Sequence, residues 1–192
     1  MTSFMSESEL EIAGFGSCGH SVKISKLARF YGIARIHISD RVRIDDFAVL
    51  SAGSGGISVG QHVHIAVFAL LMGEARIELA DFSGVSSRAA IYSSSDDFSG
   101  KHLTGPTVPV AYTGVISKPV RIGRHAVVGT GATVLPGVEV GDGAAVGAMS
   151  LVRSSIPPFE IHAGCPARRV GRRSDAVLEL ELRLLKGGTA DV

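Results

Sequence analysis

Four of the seven histidines in this chain, His62, His64, His102 and His125, are the strongest candidates to move a proton during a reaction. An imidazole titrates near neutral pH, so beside a reacting hydroxyl or amine it acts as a general base. A neighbouring carboxylate orients the ring and raises its basicity, and Asp46, Asp96 and Asp97 are the aspartates considered for that task. The same aspartates can instead bind sugar hydroxyls or shape turns at the mouth of a loop. Arg168, Arg169, Arg172 and Arg173 form a basic run that can pair with phosphates, or lie simply as a solvated tail. A three-histidine zinc site needs two of its ligands closely spaced on one face, and no H-x4-H occurs, so no metal is expected.

These residues must be positioned by something, and the chain announces it as a repeat. IHISDRVRIDDF from Ile36, ISVGQHVHIAVF from Ile57, IELADFSGVSSR from Ile77, VRIGRHAVVGTG from Val120 and VEVGDGAAVGAM from Val138 can be laid over one another. From Ile122 an aliphatic residue recurs every six positions through Val128, Val134, Val140, Val146 and Val152. A strand has period two and a helix 3.6, so this spacing fits short flat strands joined by corners. Three hexads close a triangular coil of eighteen residues, with aliphatic side chains inside and coils stacked about 4.8 Å apart. The segments from Val120 and Val138 start 18 residues apart, those from Ile36 and Ile57 21 apart, and those from Ile57 and Ile77 20 apart. The longer interval from Ile77 to Val120 leaves room for an extruded loop over 96–119. The expected division is a lead-in over 1–21, a β-helix over 22–156 carrying that loop, and a cap with a C-terminal helix over 157–192. Val177, Leu178, Leu182 and Leu185 form that helix's apolar stripe, which must pack on the coil or on another subunit.

The repeat ranks the histidines. His64 falls in an outward column with Arg43, Gly84, Val127 and Ala145, between a cation and a residue with no side chain, which leaves space for a ligand beside a rigidly held imidazole. His62 and His125 share another outward column with Phe82 and read as surface residues. His20 and His37 lie early in the chain, and His162 lies in the cap.

KPVRIGRHAVVGTGATVLPGVEVGDGAAVGAMSLV from Lys118, followed by AGCPARRV from Ala163 to Val170, resembles the hexapeptide acyltransferases, and their sugar O-acetyltransferases in particular. RIDDF at 43–47, HVHIAVFALL at 62–71 and IYSSSDDFSG at 91–100 look like the subgroup of O-antigen and capsule acetyltransferases. The resemblance spans about Val22 to Arg173. It implies a left-handed parallel β-helix, a homotrimer, and acetyl-CoA lying between neighbouring subunits as co-substrate. It also implies that Gly129 and Thr130 lie near the thioester, Ala148 beside the pantetheine, Arg153 and Ser154 further along, and Arg168 near the nucleotide end. The best-known relatives carry a histidine soon after the strand that IYSSS matches, where this chain has Asp96 and Asp97. That departure favours His64 as the base, with His102 on the loop as its rival.

Nineteen lysines and arginines against eighteen aspartates and glutamates provide no electrostatic footprint for nucleic acid. The acidic start, MTSFMSESELEIAG, is unlike a signal peptide, and no apolar run is long enough to span a bilayer, so a cytoplasmic protein without membrane insertion is expected, with Cys18 and Cys165 reduced. The expected function is acetyl-CoA-dependent O-acetylation of a sugar hydroxyl in surface-polysaccharide synthesis, with His64, Asp97 and Asp96 in the catalytic roles. N-acetylation of a nucleotide-linked amino sugar is the alternative. A carbonic anhydrase lacks its histidine spacing here, and a non-catalytic scaffold does not need the GCP motif of the cap.

Overall fold

A computed structural model describes residues 3–187. It is a left-handed parallel β-helix flanked by two helices, α1 (Glu7–Ile12) and α2 (Ala176–Lys186). The strands form three long faces of six, eight and six strands, and a separate pair at the neck of a loop. Coil begins earlier than the expected boundary: Ser17–Cys18 already pairs with His37–Ile38.

Register explains why the hexads stack. On the second face Ile24, Ile44, Ile65, Val85, Val128 and Val146 lie one above another through successive parallel pairings. On the third, Leu50, Leu71, Ile91, Val134 and Val152 do the same. Most of these side chains have no exposed surface. Each large aliphatic that moves from water into this column contributes about 2 kcal/mol, so the stack itself holds the coil closed.

The corners carry a consistent backbone signature. Arg41, His62, Phe82 and His125 at the ridge between the first and second faces, and Phe47, Phe68 and Arg88 at the next, all have φ between 55° and 62°. Non-glycine residues are uncommon in this left-handed region, and here the ladder of backbone hydrogen bonds above and below imposes it.

The loop leaves after the third-face strand Ala90–Tyr92 and returns to the first-face strand Val120–Ile122. Ser94–Ser95 and Ile116–Ser117 pair antiparallel at its neck, so the excursion proper is shorter than 96–119. After the last coil, Glu160–Gly164 and Ala167–Arg172 form a hairpin that extends the second face. The helix that follows does not pack its expected leucine stripe on its own coil, the first of the two packings allowed for it. Leu178, Leu182 and Leu185 are about half exposed, and the buried residue of α2 is Glu181. The reason is electrostatic: Glu181 meets Arg124 and His125 on the first ridge, His125 Nε2 lying 2.7 Å from its Oε2. His125 is therefore no surface residue; it lies beneath α2, 8% exposed. It ends a stack in which the His62, Phe82 and His125 rings follow at 4.6 and 5.0 Å. Burial pushes both imidazoles below their ordinary pKa, aided at His62 by Arg41 and at His125 by Arg124 and Arg173.

Candidate active site

His64 sits in the middle of the second face, its backbone in register with Arg43 on one side and Gly84 on the other. A side chain at Gly84 would meet no atom within 4 Å, so the imidazole borders open space. His64 Nε2 lies 2.7 Å from Asp45 Oδ2, and Arg43 Nε donates to the other oxygen, also at 2.7 Å. A carboxylate only accepts, so in the neutral ring Nε2 carries the hydrogen and Nδ1 presents its lone pair. Partial burial pushes the Asp45 carboxyl up, but hydrogen bonds from His64 and Arg43 outweigh it and hold the group below the ordinary carboxylate range. Asp45 was absent from the candidates read from the sequence. The signal was there in RIDDF: Asp45 follows Arg43 by two, which keeps both on the outer side of the strand. Asp46, which was considered, instead accepts from the Ser25 hydroxyl.

The aspartates expected beside His64 lie elsewhere in the chain. Asp97 Oδ2 is 3.0 Å from His102 Nδ1, and its two oxygens also accept from the Ser99 backbone and hydroxyl at 2.8 and 2.9 Å. Those bonds, the Ser99 backbone first, hold the Asp97 carboxyl far below its ordinary value. Any side chain at Gly114 would collide with the His102 ring, so the returning limb of the loop packs against one side of a ring that is otherwise about half exposed. Asp96 is half-buried at the same mouth. Among the described residues there are thus four carboxylate–imidazole pairs: His64 with Asp45 on the second face, His102 with Asp97 on the loop, His125 with Glu181 beneath α2, and His162 with Glu160 in the cap.

Of the residues assigned to the co-substrate, Gly129, Thr130 and Ala148 lie along the ridge between the second and third faces. Thr130 and Ala148 are exposed at the corners of consecutive coils, joined through the Met149 N–H, which donates to the Thr130 carbonyl. Gly129 is closed in by the backbone of Val146 to Ala148, and a side chain there would strike it. Arg153 and Ser154 are exposed at the next corner, and Arg168 is exposed on the cap hairpin. The arginines of the cap separate clearly. Arg173 donates to the carbonyls of His125 and Gly143, Arg169 pairs with Glu160, and Arg168 bonds only the adjacent Ala167 carbonyl. Cys18 and Cys165 are free thiols. Among the described residues no group of three or more metal-ligating side chains is gathered, and no helix is long and apolar enough to cross a membrane.

Comparison with known proteins places this geometry. A model of the bacterial transferase hexapeptide (six repeats) matches residues 119–154. The dTDP-4-amino-4,6-dideoxy-D-glucose acyltransferase of Escherichia coli is 43% identical over 178 residues, covering 93% of each chain. The chain belongs to the hexapeptide-repeat transferase family. This hexapeptide enzyme is therefore an acyltransferase. Crystal structures of AntD, an N-acyltransferase from Bacillus cereus, superpose with a TM-score of 0.94 at 40% identity, covering 97% of this chain and 99% of that one, in a complex with dTDP-4-amino-4,6-dideoxyglucose and coenzyme A. A lipopolysaccharide O-acetyl transferase, WbbJ of Escherichia coli, matches at 30% identity over 72% of this chain and 61% of its own.

These likenesses correct the expectation of O-acetylation. The hexapeptide model matches the coil at 119–154, and proteins named as O- and as N-acyltransferases both match this chain, whereas those that match nearly from end to end are a dTDP-4-amino-4,6-dideoxy-D-glucose acyltransferase and an N-acyltransferase crystallised with that amino sugar nucleotide. The C-terminal motifs therefore carry little information about whether the acceptor atom is oxygen or nitrogen.

Proposed function

We propose that this enzyme transfers a short acyl group from coenzyme A to the amino group of a dTDP-linked 4-amino-4,6-dideoxy sugar. The observation that carries the reading is the near full-length likeness to two proteins, one named as an acyltransferase of that sugar nucleotide and the other an N-acyltransferase crystallised with it. AntD has been crystallised with coenzyme A and with 3-hydroxybutyryl-CoA, which supports an acyl-CoA donor. AntD variants replace a serine and an aspartate ten positions apart. This chain has the same spacing twice, in Ser86 with Asp96 and in Ser87 with Asp97.

The chemistry suits an amine. The acceptor arrives as an ammonium, and Asp97, kept ionised by Ser99 and His102, is a fitting counter-charge at the loop mouth. His64, oriented by Asp45, takes the proton at Nδ1. The amine nitrogen then attacks the thioester carbonyl, the new C–N bond forms as the C–S bond breaks, the proton held on His64 passes to the departing thiolate, and the remaining surplus proton of the acylated nitrogen is lost to solvent. Gly129, Thr130, Ala148, Arg153, Ser154 and Arg168 are the residues proposed to hold the donor. Within one chain, His64 is on the second face while the loop emerges between the third and first. A site using both is completed by a neighbouring copy, which fits the trimer implied by the family. The test is an assay of purified protein with acetyl-CoA and the amino sugar nucleotide, reading amide formation and thiol release.

A further inference from the structure

Resting on that functional reading, the geometry points to Phe68 and Arg88 as the element that reads the nucleotide half of the acceptor, a pyrimidine nucleoside diphosphate. Phe47 and Phe68 occupy consecutive corners of the ridge between the second and third faces, their rings stacked with centroids 5.0 Å apart at 14°. Both are nearly half exposed, 46% and 48%, although aromatic rings of this size ordinarily gain most by burial. Both share the positive φ common to the coil corners, 59° and 62°, and their rings stand on the outside of the ridge. The Arg88 guanidinium, one coil further on, lies 5.5 Å from the Phe68 centroid. Of the arginines that rest on an aromatic ring, Arg43 and Arg124 also pair with carboxylates, whereas Arg88 has none among the described residues.

A cation resting on an aromatic face with no anion partner matches a ligand that supplies both a planar ring and negative charge. A nucleobase displaces the guanidinium from Phe68 and stacks there, and the freed Arg88 engages the diphosphate, exchanging a cation–π contact for charge-assisted hydrogen bonds. Position agrees with this assignment. Phe68 lies four residues after His64, and Arg88 follows Ser86 and Ser87, the serines whose spacing from Asp96 and Asp97 equals that of the substituted pair in AntD. Coenzyme A also contains a nucleoside diphosphate, but its proposed nucleotide end is Arg168 on the cap hairpin, coils away from Phe68.

The chain has no tryptophan, which gives a direct probe. In Phe68→Trp the single indole reports the ridge, and Tyr31→Trp, on the third face of the first coil, serves as control. Titration with dTDP should quench Phe68→Trp saturably and leave Tyr31→Trp unchanged, and coenzyme A alone should quench neither. Arg88→Gln should weaken dTDP binding about tenfold by calorimetry and raise the KM for the sugar nucleotide similarly, with kcat and the KM for acetyl-CoA held. Wild-type protein that binds dTDP while Phe68→Leu and Arg88→Gln bind it equally well overturns this inference and leaves the functional reading standing. Quenching by coenzyme A rather than dTDP also overturns it. Wild-type protein that binds no dTDP removes the functional reading and this inference together.

Discussion

Asp45 and His64 meet across adjacent coils, Oδ2 to Nε2 at 2.7 Å, with Arg43 holding the other carboxylate oxygen. The pair fixes which imidazole nitrogen keeps its lone pair free. His64→Ala should lower kcat about a hundredfold to ten-thousandfold while acetyl-CoA affinity by calorimetry changes little. Asp45→Asn should lower kcat about tenfold, because the imidazole loses the carboxylate that orients it. His102→Ala as the inactive variant, with His64→Ala active, would transfer the base to the loop.

Asp45 also makes acid stability pH-dependent. Its carboxyl is depressed in the folded protein, so its contribution is complete above the unfolded carboxylate value of 3.8 and is lost as pH falls through the lower folded value. Thermal melts from pH 5 down to about pH 2 should show a steeper loss for wild type than for Asp45→Asn. Parallel curves would mean that the pair contributes nothing to folding.

Asp97 is assigned to the acceptor's ammonium, so Asp97→Asn should raise the KM for the amino sugar about tenfold and leave the KM for acetyl-CoA unchanged. Steady-state kinetics with each substrate varied in turn measures this. An equal rise in both constants would instead indicate a loop that has lost its shape, since Asp97 also holds Ser99 and His102.

Glu181 carries α2 on the coil. Glu181→Ala removes the acceptor from Arg124 and His125 and leaves a nearly buried imidazole unpaired, which should cost about 1 to 3 kcal/mol in denaturant unfolding. Glu181→Leu should recover part of that if packing alone retains the helix. No change in either variant would show that α2 is held by its other contacts.

How much of this was legible follows from what each signal encodes. The hexad from Ile122 to Val152 is a local pattern that dictates coil, and the outward column through Arg43, His64 and Gly84 follows directly from aligning the repeats. The loop's internal pairing was not legible, because Asp97 meets His102 through a backbone path that no periodicity describes. α2 meets a related limit: its apolar stripe leaves open whether the coil or another subunit covers it, and the contacts of Glu181 with Arg124 and His125, some 56 residues earlier, decide which side faces the coil. The acceptor class was hidden because the specific motifs near the C-terminus build the scaffold common to both chemistries.

For the donor, acetyl-CoA should bind after treatment with chelator, and Arg168→Ala should weaken binding about tenfold by calorimetry through the phosphates it is free to meet. Arg173→Ala should leave affinity nearly unchanged and lower the melting temperature, since Arg173 is committed to two carbonyls. Binding lost with chelator and restored by zinc would contradict the metal-free donor site.

The central claim is that nitrogen, not oxygen, receives the acyl group. Purified protein given acetyl-CoA and dTDP-4-amino-4,6-dideoxyglucose should release free thiol and form the N-acetyl amide in equal amounts, and should leave the otherwise identical 4-hydroxy sugar nucleotide untouched. Ester formed on the hydroxy analogue, with the amino sugar unreacted, would contradict the account.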